Sequence, residues 1–331
     1  MRENALTPRA PSNRVRALLE SAVPRILERA GTRGLLTLAV VGSAARGEET
    51  WSGEKLVGDI DLAAVVRWPD PWTRHRFERA ANGFHDAMGL GCFPLYSLRR
   101  YRTLEFYEAK KTAWVVWGQP DVFDRVRVAQ AQDIPKWEGL RLLLNRAVDC
   151  LRARAELIPG WYAAVKAYLA LGEADLIFAD RYVPSYRARG DITEVSGVVL
   201  GSAALFERFH WATRVKLGEE PPPDQFTSRE HERWLIEGIA SLTSRYLGQS
   251  VTVPGGLELL SRRIGHPEHR GLYIAQHIRH PRQCAPVLRR DPAFVVWGRA
   301  LAILSGEKPT TARELAALIS DFGRVLQPLP R

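Results

Sequence analysis

The chain has 331 residues, of which 46% are hydrophobic and 25% charged, the balance of a folded globular protein and not of a disordered or fibrous one. Its formal charge of +10 is spread evenly, with 20 basic and 15 acidic residues in 1–130 and 27 and 22 in 131–331, so neither part is a concentrated nucleic-acid-binding module. No apolar run reaches the roughly eighteen residues that span a bilayer, and the three cysteines, Cys92, Cys150 and Cys284, form no CxxC pair and no disulfide framework. The first residues, MRENALTPRAPSNRVR, are basic without a following apolar stretch, so no secretory signal and a cytoplasmic location are expected.

In chain order, residues 14–30 place Val15, Leu18, Leu19, Val23 and Ile26 at helical spacing. GLLTLAVVGS then reads as a buried strand ending in glycine, DIDLAAVV as a second strand and RHRFERAANGFHDAM as a helix. CFPLYSL reads as a short third strand and TAWVVWG as another. From Trp137 onward the pattern is helical: Leu140, Leu143, Leu144, Ala147 and Leu151 make one stripe. Residues 160–190 read as two helical segments ending in a turn rich in tyrosine and arginine. Thr227 with Glu230, and Thr311 with Glu314, have the spacing of capping boxes that open further helices. The expected fold class is α+β over 1–130, with a mixed β-sheet flanked by helices, followed by an all-α domain over 131–331.

The chemistry concentrates in VVGSAARGEETWSGEKLVGDIDLAAVV, residues 40–66. Alternate side chains of a strand share a face, so Asp59 and Asp61 project together while Ile60 points inward. Two carboxylates on one face repel unless a cation holds them. Mg2+ is the natural partner, bound through one or two carboxylates and substrate phosphates. Gly42 and Ser43 end the preceding strand, where small residues let backbone N–H groups and a hydroxyl approach an anion. Arg46 follows, placed to neutralise phosphate, and Gly47 lets the chain turn away.

The GS turn followed by GDID on the next strand resembles the signature of the DNA polymerase beta-like nucleotidyltransferase superfamily, and RGE after the GS pair resembles its minimal and drug-modifying members. The resemblance is carried by about 27 residues, 40–66. It implies a mixed-sheet nucleotidyltransferase palm and Mg2+-dependent transfer of a nucleoside monophosphate from an NTP with release of pyrophosphate. Asp59 and Asp61 would be the metal ligands and catalytic carboxylates, and Gly42, Ser43 and Arg46 would bind the nucleotide phosphates. It also implies a third carboxylate on a later strand. The matching segment, CFPLYSL, holds none, which leaves Glu105 and Glu108, then Glu48 and Glu49, as candidates for that role. In the helical part Lys166, Tyr186 and Arg187 are candidates for triphosphate or acceptor contacts.

The expected function is therefore transfer of an NMP, AMP first, from an NTP (ATP first) to a hydroxyl acceptor, with a small molecule favoured over protein or tRNA. The alternative is a nucleotide-binding or antitoxin-like regulatory module that has lost turnover. No membrane partner is expected, and a homodimer is left open. The span from His266 to Cys284 gathers four histidines and a cysteine, without the spacing of a zinc site, and reads as a polar helix end and loop.

Overall fold

A computed structural model describes residues 10–56, 58–68, 76–77, 79–80, 88–191, 201–223, 226, 228–264, 292–307 and 310–326. The chain is α+β, a four-stranded mixed sheet flanked by helices and followed by a helical array. Helix α1 (Asn13–Ala30) starts at Ser12, whose hydroxyl accepts a hydrogen bond from the Val15 amide at 3.3 Å, and it buries Val15, Leu19, Ala22, Val23 and Ile26. Strand β1 (Leu35–Val41) runs into a single helical turn, α2 (Gly42–Ala45). A small hairpin, β2 (Trp51–Ser52) with β3 (Lys55–Leu56), leads to β4 (Ile60–Val66).

Strand β5 (Met88–Pro94) is followed by α3 (Leu95–Arg100), α4 (Leu104–Thr112) and β6 (Trp114–Gly118). The sheet order is β5-β4-β1-β6: β1 is antiparallel to β4 and to β6, and β4 is parallel to β5. A parallel pair needs a crossover of a dozen or more residues. The chain between β4 and β5 is long enough, and its helical residues Phe77 and Ala80 pack in the core with α1.

The side-chain alternation of the strands sorts the two faces. Ile60, Leu62, Ala64 and Val66 of β4 pack with Leu38 and Val40 of β1 against α1. Ala63 and Val65 point the other way, into a second cluster with Phe106 and Tyr107 of α4, Val122, Ile177 and Tyr182. Asp61 has the parity of Ala63 and Val65, so it belongs to the face turned toward α4 and the helical part, at the strand end where that face is open.

The helical array comprises α5 (Trp137–Arg154), α6 (Gly160–Phe178), the short α7 (Tyr186–Gly190), α8 (Ala203–Lys216), α9 (Glu230–Leu247), α10 (Val253–Ile264), α11 (Pro292–Leu304) and α12 (Ala312–Leu326). Its core gathers Leu140, Leu144, Tyr168, Phe209, Leu235, Trp297 and Leu318. Leu142 on α5 touches both this core and the cluster beneath the sheet, so packing is continuous between them. Among the described residues no helix is long and apolar enough to cross a membrane.

One expectation needs correction. CFPLYSL is not one strand: β5 is Met88–Pro94, and the chain turns helical at Leu95. Residues 160–190 hold two helical segments, as expected, α6 (Gly160–Phe178) and the short α7 (Tyr186–Gly190), and the second is formed by the tyrosine- and arginine-rich turn itself. The helix expected near Glu230 is present, and the Thr227 half of its expected capping box lies outside the described residues. The Thr311–Glu314 capping box is present: the Thr311 amide donates to Glu314 Oε2 at 3.0 Å and the Glu314 amide to Thr311 Oγ1 at 3.2 Å. The expected helix at 74–88 is described only at 76–77 and 79–80, and the histidine-rich span lies outside the described residues.

Close packing of α6 on α8 makes a sharp test. A Cβ on Gly172 would sit 2.3 Å from the Phe209 ring, which is itself buried. Helix propensity alone would make Gly172→Ala stabilising by about 1 kcal/mol. The overpacking should win and destabilise by about 1–3 kcal/mol, read as a lowered thermal midpoint; a raised midpoint would contradict this packing.

Candidate active site

A cleft of about 760 Å³ opens between the end of the sheet and the helical array, and Gly42, Ser43, Asp59 and Asp61 stand at its sheet side. The register explains the grouping. Val41 pairs with Asp61 across the antiparallel β1–β4 ladder, so the GS turn begins beside the second aspartate. Gly42 has φ +69°, a left-handed backbone that glycine adopts without strain. A Cβ on Gly42 would lie 3.2 Å from Asp61 Oδ2, and one on Gly89, the β5 partner of Asp61, would lie 3.2 Å from Asp61 Oδ1. Both neighbours of this carboxylate are thus reduced to hydrogen, so neither presses a side chain against it. Asp59 precedes β4 by one residue and, like Asp61, is exposed in the cleft.

The opposite wall comes from the helical part. Lys166 and Tyr162 on α6 and Lys216 at the end of α8 line the cleft, with Lys166 Nζ 4.4 Å from the centre of the Tyr162 ring. Lys216 Nζ lies 3.6 Å from where a Cβ on Gly58 would stand. Burial lowers the Lys216 pKa, nearby Lys166 and Arg46 lower it further, and the carboxylates of Asp59 and Asp61 oppose them. Burial pushes the Tyr162 hydroxyl up to about 12, and the charge of Asp59 adds to that rise. Negative charge on the sheet side therefore faces positive charge on the helical side.

Beneath this polar face runs a buried chain of ions. Arg46 Nε donates to Glu48 Oε2 at 2.9 Å, and its Nη1 lies 3.7 Å from Glu108 Oε2. Glu48 also accepts from Ser185 Oγ at 2.6 Å and from the amides of Tyr186 at 3.1 Å and Arg187 at 3.2 Å, fastening the GS turn to the start of α7. Burial would raise the Glu48 pKa, but Arg46 and these hydrogen bonds together hold it below the ordinary carboxylate value. Tyr182 donates its hydroxyl proton to Glu108 and accepts from Arg189 Nη1 at 2.8 Å; Arg189 in turn donates to Glu173 at 2.7 Å.

These contacts separate the residues singled out from sequence. Asp59, Asp61, Gly42, Ser43, Arg46, Glu105, Glu108, Lys166 and Tyr186 all border the cleft. Arg46, expected at phosphate, already has its charge met by two carboxylates. Glu105 is bound by Arg141, which also holds Glu138 at 2.8 Å, so it ties α4 to α5. Glu48 is buried against the start of α7, and Glu49 is not among the cleft residues. Arg187 points away, pairing with Glu219 at 2.7 Å where both are half-exposed, and contributes only its amide. Lys216, Tyr162, Glu173 and Trp161 were not anticipated. Lys216 is one of only seven lysines in the chain, a scarcity that could have drawn attention to it. Among the described residues no group of three or more His, Cys, Asp or Glu side chains is placed to hold a metal ion.

No family model matches the chain, and no curated protein does. Among solved structures it is similar to spectinomycin adenyltransferase AAD(9) from Enterococcus faecialis, determined with ATP and spectinomycin, at 13% identity and a TM-score of 0.46, over 67% of this chain and 97% of that one. What the cleft can do is decided by its own residues.

Removing Glu48 should show what the buried contact is worth. In Glu48→Ala the Arg46 guanidinium loses its closest partner, and breaking a buried pair in this way costs about 3–5 kcal/mol. Because the folded pKa is depressed, the Glu48 contribution is complete above the unfolded value of about 4.3 and is lost as pH falls through the lower folded value. Denaturant midpoints of wild type and variant should therefore lie well apart at pH 7 and converge in acid. Equal midpoints at neutral pH would contradict the contact.

Proposed function

We propose that the chain is a Mg2+-dependent nucleotidyltransferase that moves an NMP, AMP first, from an NTP to a hydroxyl of a small-molecule acceptor. The observation that carries the reading is the ladder pairing of Val41 with Asp61, which sets the GS turn beside an exposed aspartate pair in a cleft walled by two lysines. A triphosphate needs oxygen-philic binding at one side and fixed positive charge at the other, and the cleft supplies both.

The residues fit the ion. Asp59 and Asp61 offer hard oxygen donors, and Gly42 and Gly89 leave the space around Asp61 that a hydrated Mg2+ and phosphate oxygens require. Bound there, Mg2+ would neutralise phosphate charge and polarise the phosphoryl group under attack. The chain's own residues do the rest. Gly42 and Ser43 hold the phosphates at the strand end, and Lys166 and Lys216 supply positive charge to the pyrophosphate as it leaves. Trp161, Tyr162 and Leu169 offer aromatic and apolar surface to the acceptor. In this reading residues 1–130 are the nucleotidyltransferase domain and 131–331 the acceptor and lid domain.

A second reading, a nucleotide-binding module without turnover, is favoured by one observation: Asp61 faces Gly89, so β5 supplies no acid beside the pair. The two readings part in one assay. Protein mixed with ATP, CTP, GTP or UTP, Mg2+ and a panel of aminoglycosides, aminocyclitols and sugar alcohols should release pyrophosphate. Asp59→Asn or Asp61→Asn should lower that release at least about a hundredfold, as expected when several kcal/mol of metal-assisted charge stabilisation is removed. Metal-dependent nucleotide binding without release would support the binding module, and release only with protein or tRNA added would move the acceptor to those classes. Absence of any metal-dependent nucleotide binding would overturn both.

A further inference from the structure

A hydroxyl that attacks phosphorus must lose its proton, and a group positioned in the cleft has to take it. Neither aspartate is suited, since their oxygens are committed to the metal in the proposed reaction. Strand β5 offers nothing: Asp61 faces Gly89, and Ala63 faces Gly91. Four other carboxylates border the cleft, and three are spent. Glu105 is held by Arg141, Glu173 by Arg189 at 2.7 Å, and Glu220 by Arg214 at 2.9 Å on the exposed rim.

Glu108 differs. One oxygen, Oε1, accepts from the Tyr182 hydroxyl, which fixes the carboxylate's orientation. The other, Oε2, lies 3.7 Å from Arg46 Nη1, within the reach of its charge but beyond hydrogen-bonding distance. Arg46 Nη1 is itself buried and has no hydrogen-bond partner. The side chain is 19% exposed and borders the cleft, so this oriented carboxylate, with Oε2 beside the Arg46 charge, is one that a bound molecule can reach.

Building on the nucleotidyltransferase reading, we propose that Glu108 is the general base for the acceptor hydroxyl, reached from α4 in place of an acid on β5. The acceptor O–H gives its proton to Glu108 Oε2 as its oxygen forms the new bond to the α-phosphorus. The bond from the α-phosphorus to the oxygen bridging to the β-phosphate breaks, and pyrophosphate leaves with the electron pair. Glu108 then returns the proton to solvent through the open cleft. The charged and titratable groups around it are Arg46, Tyr182 and Tyr186, with Arg189 and Glu173 behind them.

The test compares wild type with Glu108→Gln and Glu108→Asp, using ATP, Mg2+ and whichever hydroxyl compound first elicits pyrophosphate from the wild type. Glu108→Gln should bind Mg2+·ATP within about twofold of wild type, followed by the fluorescence of Trp51 and Trp161 in the cleft, while kcat falls about 10²–10⁴-fold. The limb along which activity rises with pH should disappear in Glu108→Gln and return, at reduced kcat, in Glu108→Asp. That recovery also answers the case in which Glu108→Gln melts early, because Glu108→Asp keeps the charge facing Arg46. Retention of a third or more of wild-type kcat by Glu108→Gln, or an unchanged rising limb, would overturn the assignment. Absence of transfer by the wild type itself would instead overturn the nucleotidyltransferase reading, and the base with it.

Discussion

One buried guanidinium governs the arrangement. Arg46 sits three residues beyond Ser43 and carries its charge into a region with almost no access to water, between Glu48 and Glu108. Withdrawing an arginine from water is tolerated only where carboxylates meet it, and here they come from two directions. Glu48 belongs to the loop after the GS turn and grips Ser185 and the first amides of α7. Glu108 belongs to α4 and continues through Tyr182 to Arg189 and Glu173 of the helical array. The GS turn, the helix beneath it and the far wall of the cleft are therefore registered to one another through a single side chain. The Tyr186 ring, between Arg46 at 5.5 Å and Arg189 at 4.1 Å, fills the space between the charges with a surface both can favour.

This explains how the cleft keeps two signs of charge apart. The acids that would bind metal, Asp59 and Asp61, stand exposed on the sheet side, and the lysines stand opposite on α6 and α8. The remaining ions are paired below that level, so the cleft floor presents oriented dipoles and few uncompensated charges. An electrostatic site of this kind needs rigidity, because preorganised groups act strongly only when they need not reorient during the reaction. The interlocked groups of Arg46, Tyr182 and Arg189, two ions and a neutral phenol, provide that rigidity.

What was legible in the sequence follows the range of the forces involved. The strand–turn–strand unit of residues 35–66 could be read because its signals are local: apolar alternation, a glycine where φ is positive, and two aspartates at strand spacing. The Thr311–Glu314 cap is local in the same sense. Strand β5 was misplaced because Gly89 and Gly91 look like turn residues, although here Gly89 leaves space beside Asp61 and Gly91 leaves space for the Phe93 ring. Lys216 and Tyr162 join the site through helix packing that no short window encodes. Arg46 was expected at the phosphates, and Arg187 was a further candidate for a triphosphate or acceptor contact. Only the fold shows that one is neutralised inside and the other pairs with Glu219 outside.

The central claim is that the aspartate pair and the GS turn form one metal–triphosphate site. The most direct measurement is a crystal structure grown with Mn2+ and a non-hydrolysable ATP analogue, read by anomalous scattering. A metal peak is expected between Asp59 and Asp61, with the phosphates lying over Gly42 and Ser43 and reaching toward Lys166 and Lys216. Nucleotide bound elsewhere, or bound in the cleft with no metal on either aspartate, would contradict it.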